Sequence, residues 1–278
     1  MVASQTMKRT AYIVSDRTGL TAEAMAHSLL SQFPNIEFHL ETFTFIDDEQ
    51  KATELVNRCR MIGQCADDNA PMVFLTMVNE DLRALFFKAG IAVFDLFQTF
   101  IGPMEEFLGV KSSHTIGQSH GVQDEKAYTS RIAAVHFAMQ TDDGMDVEHY
   151  RKADLIVIGV SRCGKTPASL YMSLHYGLYV SNYPLTGQEL EFKRLPTVLE
   201  ANKHKLFGLT IDPFRLLKIR QKRYQGSSYS DADTCQREIA QAESIYRTES
   251  IPYINSTTMS VEEIGAMIVN LTRSQAKN

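Results

Sequence analysis

No apolar run in this 278-residue chain approaches the roughly 20 residues needed to cross a bilayer, so no membrane helix is expected. The opening stretch, MVASQTMKRTAYIV, lacks the long apolar core and small-residue cleavage site of a secretory signal, and the expected location is the cytoplasm. Cysteine is scarce: Cys59, Cys65, Cys163 and Cys235 are the four present, and no two form a CxxC pair. Neither a zinc cage nor a disulfide framework is indicated. The histidines do not supply a metal site either. His114, His120, His136 and His149 show no i,i+4 spacing and no neighbouring cysteines. Positive charge is not in excess, and a formal charge of −5 argues against a general nucleic-acid binder. Internal repeats and low-complexity tracts are absent. What remains is an ordinary globular composition, 44% hydrophobic and 22% charged, at a length that suits two domains.

The most informative stretch is Ala153 to Thr166, ADLIVIGVSRCGKT. Leu155, Ile156, Val157 and Ile158 form an unbroken apolar run, as expected of a strand buried on both faces of a parallel sheet. Gly159, Val160, Ser161, Arg162, Cys163, Gly164, Lys165 and Thr166 follow at once and satisfy G-x-x-x-x-G-K-[ST]. In such a loop the glycines let backbone N–H groups turn inward onto a phosphate. Lys165, expected to face solvent, brings a cation to the terminal phosphates. Thr166 offers its hydroxyl to Mg²⁺, and the next helix adds its positive end.

Upstream, strand patterns at 9–15, 36–46, 72–78 and 91–97 alternate with helical patterns at 47–65 and 80–89, the latter with Asn79 as its cap. That alternation implies an N-terminal parallel-sheet, three-layer domain over residues 1–110. Residues 111–145 read as a connector carrying a long helix at 124–142, which Asp142-Asp143-Gly144 closes. Residues 146–278 read as a P-loop kinase-like α/β domain. The fold class is α/β throughout. The turn Asp16–Thr21 ends the first strand and opens a helix; its residue types favour a well-formed βα loop over a second anion site.

Past the phosphate loop, the apolar strand Leu206–Ile211 ends in Asp212-Pro213, where phosphate-loop enzymes place a metal-orienting acid. An ordinary cap for a helix begun by Pro213 is the competing role. Residues 203–223 hold seven Lys or Arg and one acid, with Arg215, Lys218, Arg220, Lys222 and Arg223 on one helical stretch. Phosphoryl transfer needs cations, so one or two of these are candidates, although most charge runs are solvated faces. The polar segment Gln225–Asp233 has the composition of a mobile lid.

SDRTGLTAE near the start, the run from His120 to Ile132, DDG, GVSRCGKTPASLY and GLTIDPFRL occur in that order. Together they resemble the bacterial regulatory proteins of phosphoenolpyruvate synthase and pyruvate phosphate dikinase, over almost the whole chain. The resemblance implies a bifunctional enzyme. An ADP-dependent serine/threonine kinase activity phosphorylates a threonine of the target, and a pyrophosphorylase activity uses inorganic phosphate to remove that group as pyrophosphate. It implies that Gly159 to Thr166 bind ADP, with Cys163 where threonine is expected and Ala168 where leucine is usual. Lys165, Arg162 and Asp212 are the catalytic candidates, and Thr166 and Asp212 the candidates for holding Mg²⁺. The protein partner would be phosphoenolpyruvate synthase or pyruvate phosphate dikinase, with the first slightly favoured; homodimerisation is left open. Residue chemistry alone reaches only a nucleotide-using phosphotransferase. A small-molecule kinase and a non-catalytic nucleotide-gated binding module stay as alternatives. A GTPase is disfavoured, since Asn202-Lys203-His204-Lys205 lacks the aspartate of a guanine-reading motif.

Overall fold

The computed structural model describes residues 7–65, 70–113, 125–223 and 228–275. The chain divides into two compact units, Met1–Gly121 and Val122–Asn278. Each is an α/β unit built on its own four-stranded parallel sheet.

The first unit runs β1 (Met7–Ser15), α1 (Leu20–Leu30), β2 (Ile36–Phe43), α2 (Glu49–Cys65), β3 (Met72–Thr76), α3 (Glu80–Lys88), β4 (Ala92–Asp95) and α4 (Gln98–Leu108). Strand order is β2-β1-β3-β4. Alternate residues of the central strands serve opposite faces, as the pleat requires. Tyr12, Val14, Val73 and Leu75 pack with α2 and α3, while Ala11, Ile13 and Phe74 pack with Ala22, Ala26 and Leu30 of α1. Asn79 caps α3 as expected, its Oδ1 accepting from the Asp81 and Leu82 N–H groups. Helix α4 carries Pro103 inside it and ends at Gly109, which is left-handed at φ 66°.

The second unit runs α5 (Glu125–Gln140), β5 (Leu155–Gly159), α6 (Lys165–Tyr176), β6 (Val180–Pro184), α7 (Gly187–Glu191), α8 (Thr197–Glu200), β7 (Leu206–Thr210), α9 (Pro213–Gln221), α10 (Ala232–Thr248), β8 (Tyr253–Asn255) and α11 (Val261–Gln275). The long helix α5 packs against α6 and β6 and so belongs to this unit. Its strand order, β6-β5-β7-β8, repeats that of the first unit. All five residues of β5 and all five of β7 are buried. At about 1.5–3 kcal/mol for each large aliphatic side chain removed from water, this pair of strands anchors the unit's core. The chain reverses direction in the sheet at β5. The crevice beyond the carboxyl ends of β5 and β7 is therefore the place where an open parallel sheet binds ligands.

Candidate functional site

The glycine-rich loop lies at that crevice, between β5 and α6. Gly159 is required by close approach: a Cβ there would come within 2.7 Å of both Cys163 Sγ and the Leu209 carbonyl oxygen. Gly164, at φ 102°, takes a backbone conformation that side chains disfavour and starts α6 without a side-chain cap. The uncapped N–H groups of the first helical turn are thus left for a ligand. Arg162 is also left-handed (φ 76°) and is exposed, so the loop holds it in a conformation that costs energy.

Lys165 does not face solvent as its motif suggested. It is 4% exposed, and its Nζ donates to the Val160 carbonyl oxygen at 3.2 Å. Among the described residues no carboxylate pairs with it. A desolvated ammonium with a single carbonyl partner is electrostatically underpaid in charge and is ready for an anion. A cavity of about 330 Å³ opens beside it, lined by Asp143, Ser161, Arg162, Gly164, Lys165, Thr166, Pro167 and Arg223. Three cations and one acid therefore line the cavity.

The acid comes from the Asp142–Gly144 turn, which in the sequence closes α5 and is one of the motifs that carry the family resemblance, with no site role assigned to it. Asp143 (φ 51°) and Gly144 (φ 83°) are both left-handed, which turns the chain sharply onto the end of β6. Asp142 Oδ1 accepts from the Thr166 hydroxyl at 2.9 Å and from the Asn182 side-chain amide at 2.6 Å. The Asn182 Oδ1 in turn accepts from the Asp143 backbone N–H at 3.1 Å. Asn182 is fully buried on β6, and its carbonyl accepts from the Tyr150 hydroxyl at 2.8 Å. Burial, together with the nearby Tyr183, Asp142 and Asp143, pushes the Tyr150 phenol well above its usual range.

The far side of the loop is held by Arg220. Within a basic run whose members were split between solvated face and site, it is 1% exposed. It pairs with Glu238 at 2.6 Å, donates to the Ser161 carbonyl at 3.2 Å and lies 4.1 Å from the centre of the Tyr229 ring. The Tyr229 hydroxyl donates to Ser161 Oγ at 2.8 Å, so the described end of the expected lid is anchored on the glycine-rich loop. Residues 225–227 of that segment lie outside the described residues, as do His114 and His120. Arg223 lines the cavity, while Arg215, Lys218 and Lys222 are exposed elsewhere on the helix and its end. His136 is exposed and His149 half-buried, and no metal-binding cluster occurs among the described residues.

Asp212 sits just past β7, where its carboxylate Oδ1 caps α9 by accepting from the Arg215 N–H at 2.9 Å. Its own N–H donates to Thr257 Oγ1 at 2.7 Å. The neighbouring Ser256 hydroxyl joins the Cys163 and Thr210 carbonyl oxygens, at 2.9 and 3.1 Å, tying the glycine-rich loop to the end of β7. The cavity wall includes Asp143 and not Asp212. Burial raises the pKa of Cys163, so this thiol packs under the loop as a small apolar group.

Residues 11–269 match the family described as Kinase/pyrophosphorylase. The chain belongs to that family. A relative from Legionella pneumophila (strain Corby) is 47% identical over 273 residues, covering 98% of this chain and 100% of the relative. One from Pseudomonas aeruginosa (strain LESB58) is 48% identical over 263 residues, covering 95% of this chain and 96% of that one. Both are provisionally named phosphoenolpyruvate synthase regulatory protein. Among solved structures, a periplasmic solute-binding protein from Actinobacillus succinogenes 130z aligns over 89% of this chain and 95% of its own at 14% identity. Its TM-score of 0.23 is too low to bear on the fold. Among the described residues no helix is long and apolar enough to cross a membrane.

Proposed function

We propose that this family member is a bifunctional, cytoplasmic regulator of phosphoenolpyruvate synthase, with a P-loop kinase-like second unit that carries the chemistry. It phosphorylates a threonine of that enzyme with ADP and reverses the modification with inorganic phosphate. The observation that carries this reading is the buried Lys165 at a glycine-rich loop, with no carboxylate paired to it among the described residues, lining a cavity it shares with Arg162 and Arg223. The relatives' names favour phosphoenolpyruvate synthase over pyruvate phosphate dikinase as the partner.

In this reading Gly159 to Thr166 wrap the phosphate pair of ADP with backbone N–H groups, and Lys165 holds the β-phosphate. The target threonine oxygen forms its bond to the β-phosphorus as the bond to AMP breaks. Arg162 and Arg223 face the charge spread over the transferring oxygens. Asp143, the carboxylate in the cavity wall, takes the hydroxyl proton. In reverse, an oxygen of inorganic phosphate attacks the phosphothreonine phosphorus and pyrophosphate forms. Asp143 returns the proton to the departing threonine oxygen.

The donor set also fits Mg²⁺. The Thr166 hydroxyl spends its one proton on Asp142, which leaves both lone pairs for a cation. Bound there, Mg²⁺ would neutralise phosphate charge. Asp212 stays the acid of β7, and its contribution is open to measurement.

The test is label transfer from ADP carrying ³²P in its β-phosphate to purified phosphoenolpyruvate synthase. The label should appear on the target, and added phosphate should release it as pyrophosphate. ATP freed enzymatically of ADP should label nothing. Labelling from ATP alone, or none from ADP, would overturn the assignment.

A further inference from the structure

Asn182 is not part of the glycine-rich motif and lies sixteen residues beyond Thr166 on the next strand of the sheet, yet one side chain governs the acid turn over the loop. Its amide orientation is fixed by its partners. The NH₂ end can only donate to the Asp142 carboxylate, and the oxygen end can only accept from the Asp143 N–H. A buried amide that lost either partner would be costly, so the two bonds lock together. Asp142 is thereby held with its Oδ1 on the Thr166 hydroxyl. That contact decides how the hydroxyl rotates. With its proton committed to Asp142, Thr166 presents two lone pairs and no donor to the cavity.

We infer that Asn182 is a positioning residue which, through Asp142, sets Thr166 as a hard oxygen ligand for the divalent cation that accompanies the nucleotide. The inference rests on the phosphate-site reading above and extends it to the side of the cavity opposite Lys165 in chemical role. Lys165 and the loop amides recognise phosphate with no help from a metal. The relay from Asn182 to Asp142 to Thr166 recognises the metal with no effect on phosphate. The two halves should therefore separate in binding measurements.

Mn²⁺ is the probe, titrated into full-length protein saturated with ADP, with free Mn²⁺ read by electron paramagnetic resonance. ADP affinity without metal is measured by calorimetry in EDTA on the same preparations. Asn182→Ala should keep metal-free ADP affinity within about twofold while weakening Mn²⁺ binding about tenfold or more, a loss of about 1.4 kcal/mol. Thr166→Val, which keeps the shape and removes the hydroxyl, should do the same, and Thr166→Ser should behave as wild type. Asp142→Ala acts at a half-buried position and supplies the same readout if Asn182→Ala fails to fold. Transfer by the Asn182 variant should recover at high Mg²⁺, as expected for weakened metal binding with intact chemistry. Wild-type Mn²⁺ affinity in the Asn182 or Asp142 variant, or in Thr166→Val, would overturn the proposal. So would a tenfold loss of metal-free ADP affinity, which would make the relay a support for the loop. Wild-type protein that bound no ADP would instead overturn the phosphate site itself.

Discussion

Replacing Lys165 by methionine should separate stability from activity in opposite directions. The ammonium is buried, with one carbonyl partner at 3.2 Å and no carboxylate partner among the described residues. Exchanging a poorly compensated buried charge for an apolar side chain is commonly neutral or stabilising, by up to a few kcal/mol. Methionine keeps the unbranched stem and fills nearly the same space, whereas alanine would add a void. We expect a gain of about 0–2 kcal/mol in the nucleotide-free protein. At about 2–4 °C per kcal/mol for a domain of this size, the melting temperature should be unchanged or several degrees higher. Transfer should collapse. Losing one neutral donor to developing charge costs about 10²–10³ in rate, and a full charge in a dry loop should cost at least the upper figure. Thermal melting with and without ADP, beside label transfer, checks both halves. ADP at a hundredfold excess over its Kd should stabilise wild type by about 2.7 kcal/mol, and the variant should lose most of that. A variant melting well below wild type, or transferring within tenfold of it, would refute the view of Lys165 as a cation waiting for its anion.

Three further outcomes follow from the same geometry. Arg223→Ala should slow transfer about 10–100-fold because Arg223 lines the cavity, while Lys218→Ala, exposed elsewhere on α9, should leave the rate unchanged in the same assay. Asp212→Ala should cost about 1 kcal/mol by uncapping α9, and Asp212→Asn, which can still cap, should keep both stability and turnover to within about threefold; a hundredfold loss of turnover in the asparagine variant would place this carboxylate in the reaction. Burial lifts the Cys59 thiol to about 11 and raises Cys163 and Cys235, so site-resolved mass spectrometry should find all three unlabelled by iodoacetamide in native protein at neutral pH; because the folded value for Cys59 lies above the unfolded one, its contribution to stability is full below about pH 9 and is lost as pH climbs through about 11.

The central strands β1, β3, β5 and β7 were legible because buried parallel strands advertise themselves as apolar runs, and β5 is the plainest case. Element β8 was not: three residues after Pro252 carry too little pattern to separate from a loop. Helix α4 was only half legible, since Gly102-Pro103 act as breakers in local propensity and the folded chain carries the helix through them. At the site, the motif named the residues of the loop between β5 and α6, because its signal is backbone geometry plus one lysine and one hydroxyl. It could not tell that Lys165 is buried, which depends on packing around the loop. Nor could it find Asp142 and Asp143. Their placement is fixed by Asn182, 40 residues from Asp142, through a strand pairing that no local pattern encodes. The available signal was weak: two acids and a glycine just ahead of the strand that feeds the loop. Which member of the basic run reaches the loop was not legible, since a basic run on a helix looks solvated until the Glu238 carboxylate from α10 meets Arg220.

The two units show how little of the function resides in topology. Both sheets have the same strand order, and in both the first strand feeds a loop that ends in a left-handed glycine and opens a helix. Even the local frame matches: Gly19-Leu20-Thr21 in the first unit, Gly164-Lys165-Thr166 in the second. The side chains then part company. Leu20 is 61% exposed where Lys165 is 4% exposed, so the first loop offers no cation at that place. Its buried charge is the opposite one, Asp16, which is 5% exposed and accepts from the Val78 N–H at 3.0 Å. The shared fold supplies two equivalent crevices at two switch points. A single lysine, with the acid turn that Asn182 holds over Thr166, sets the second crevice apart from the first.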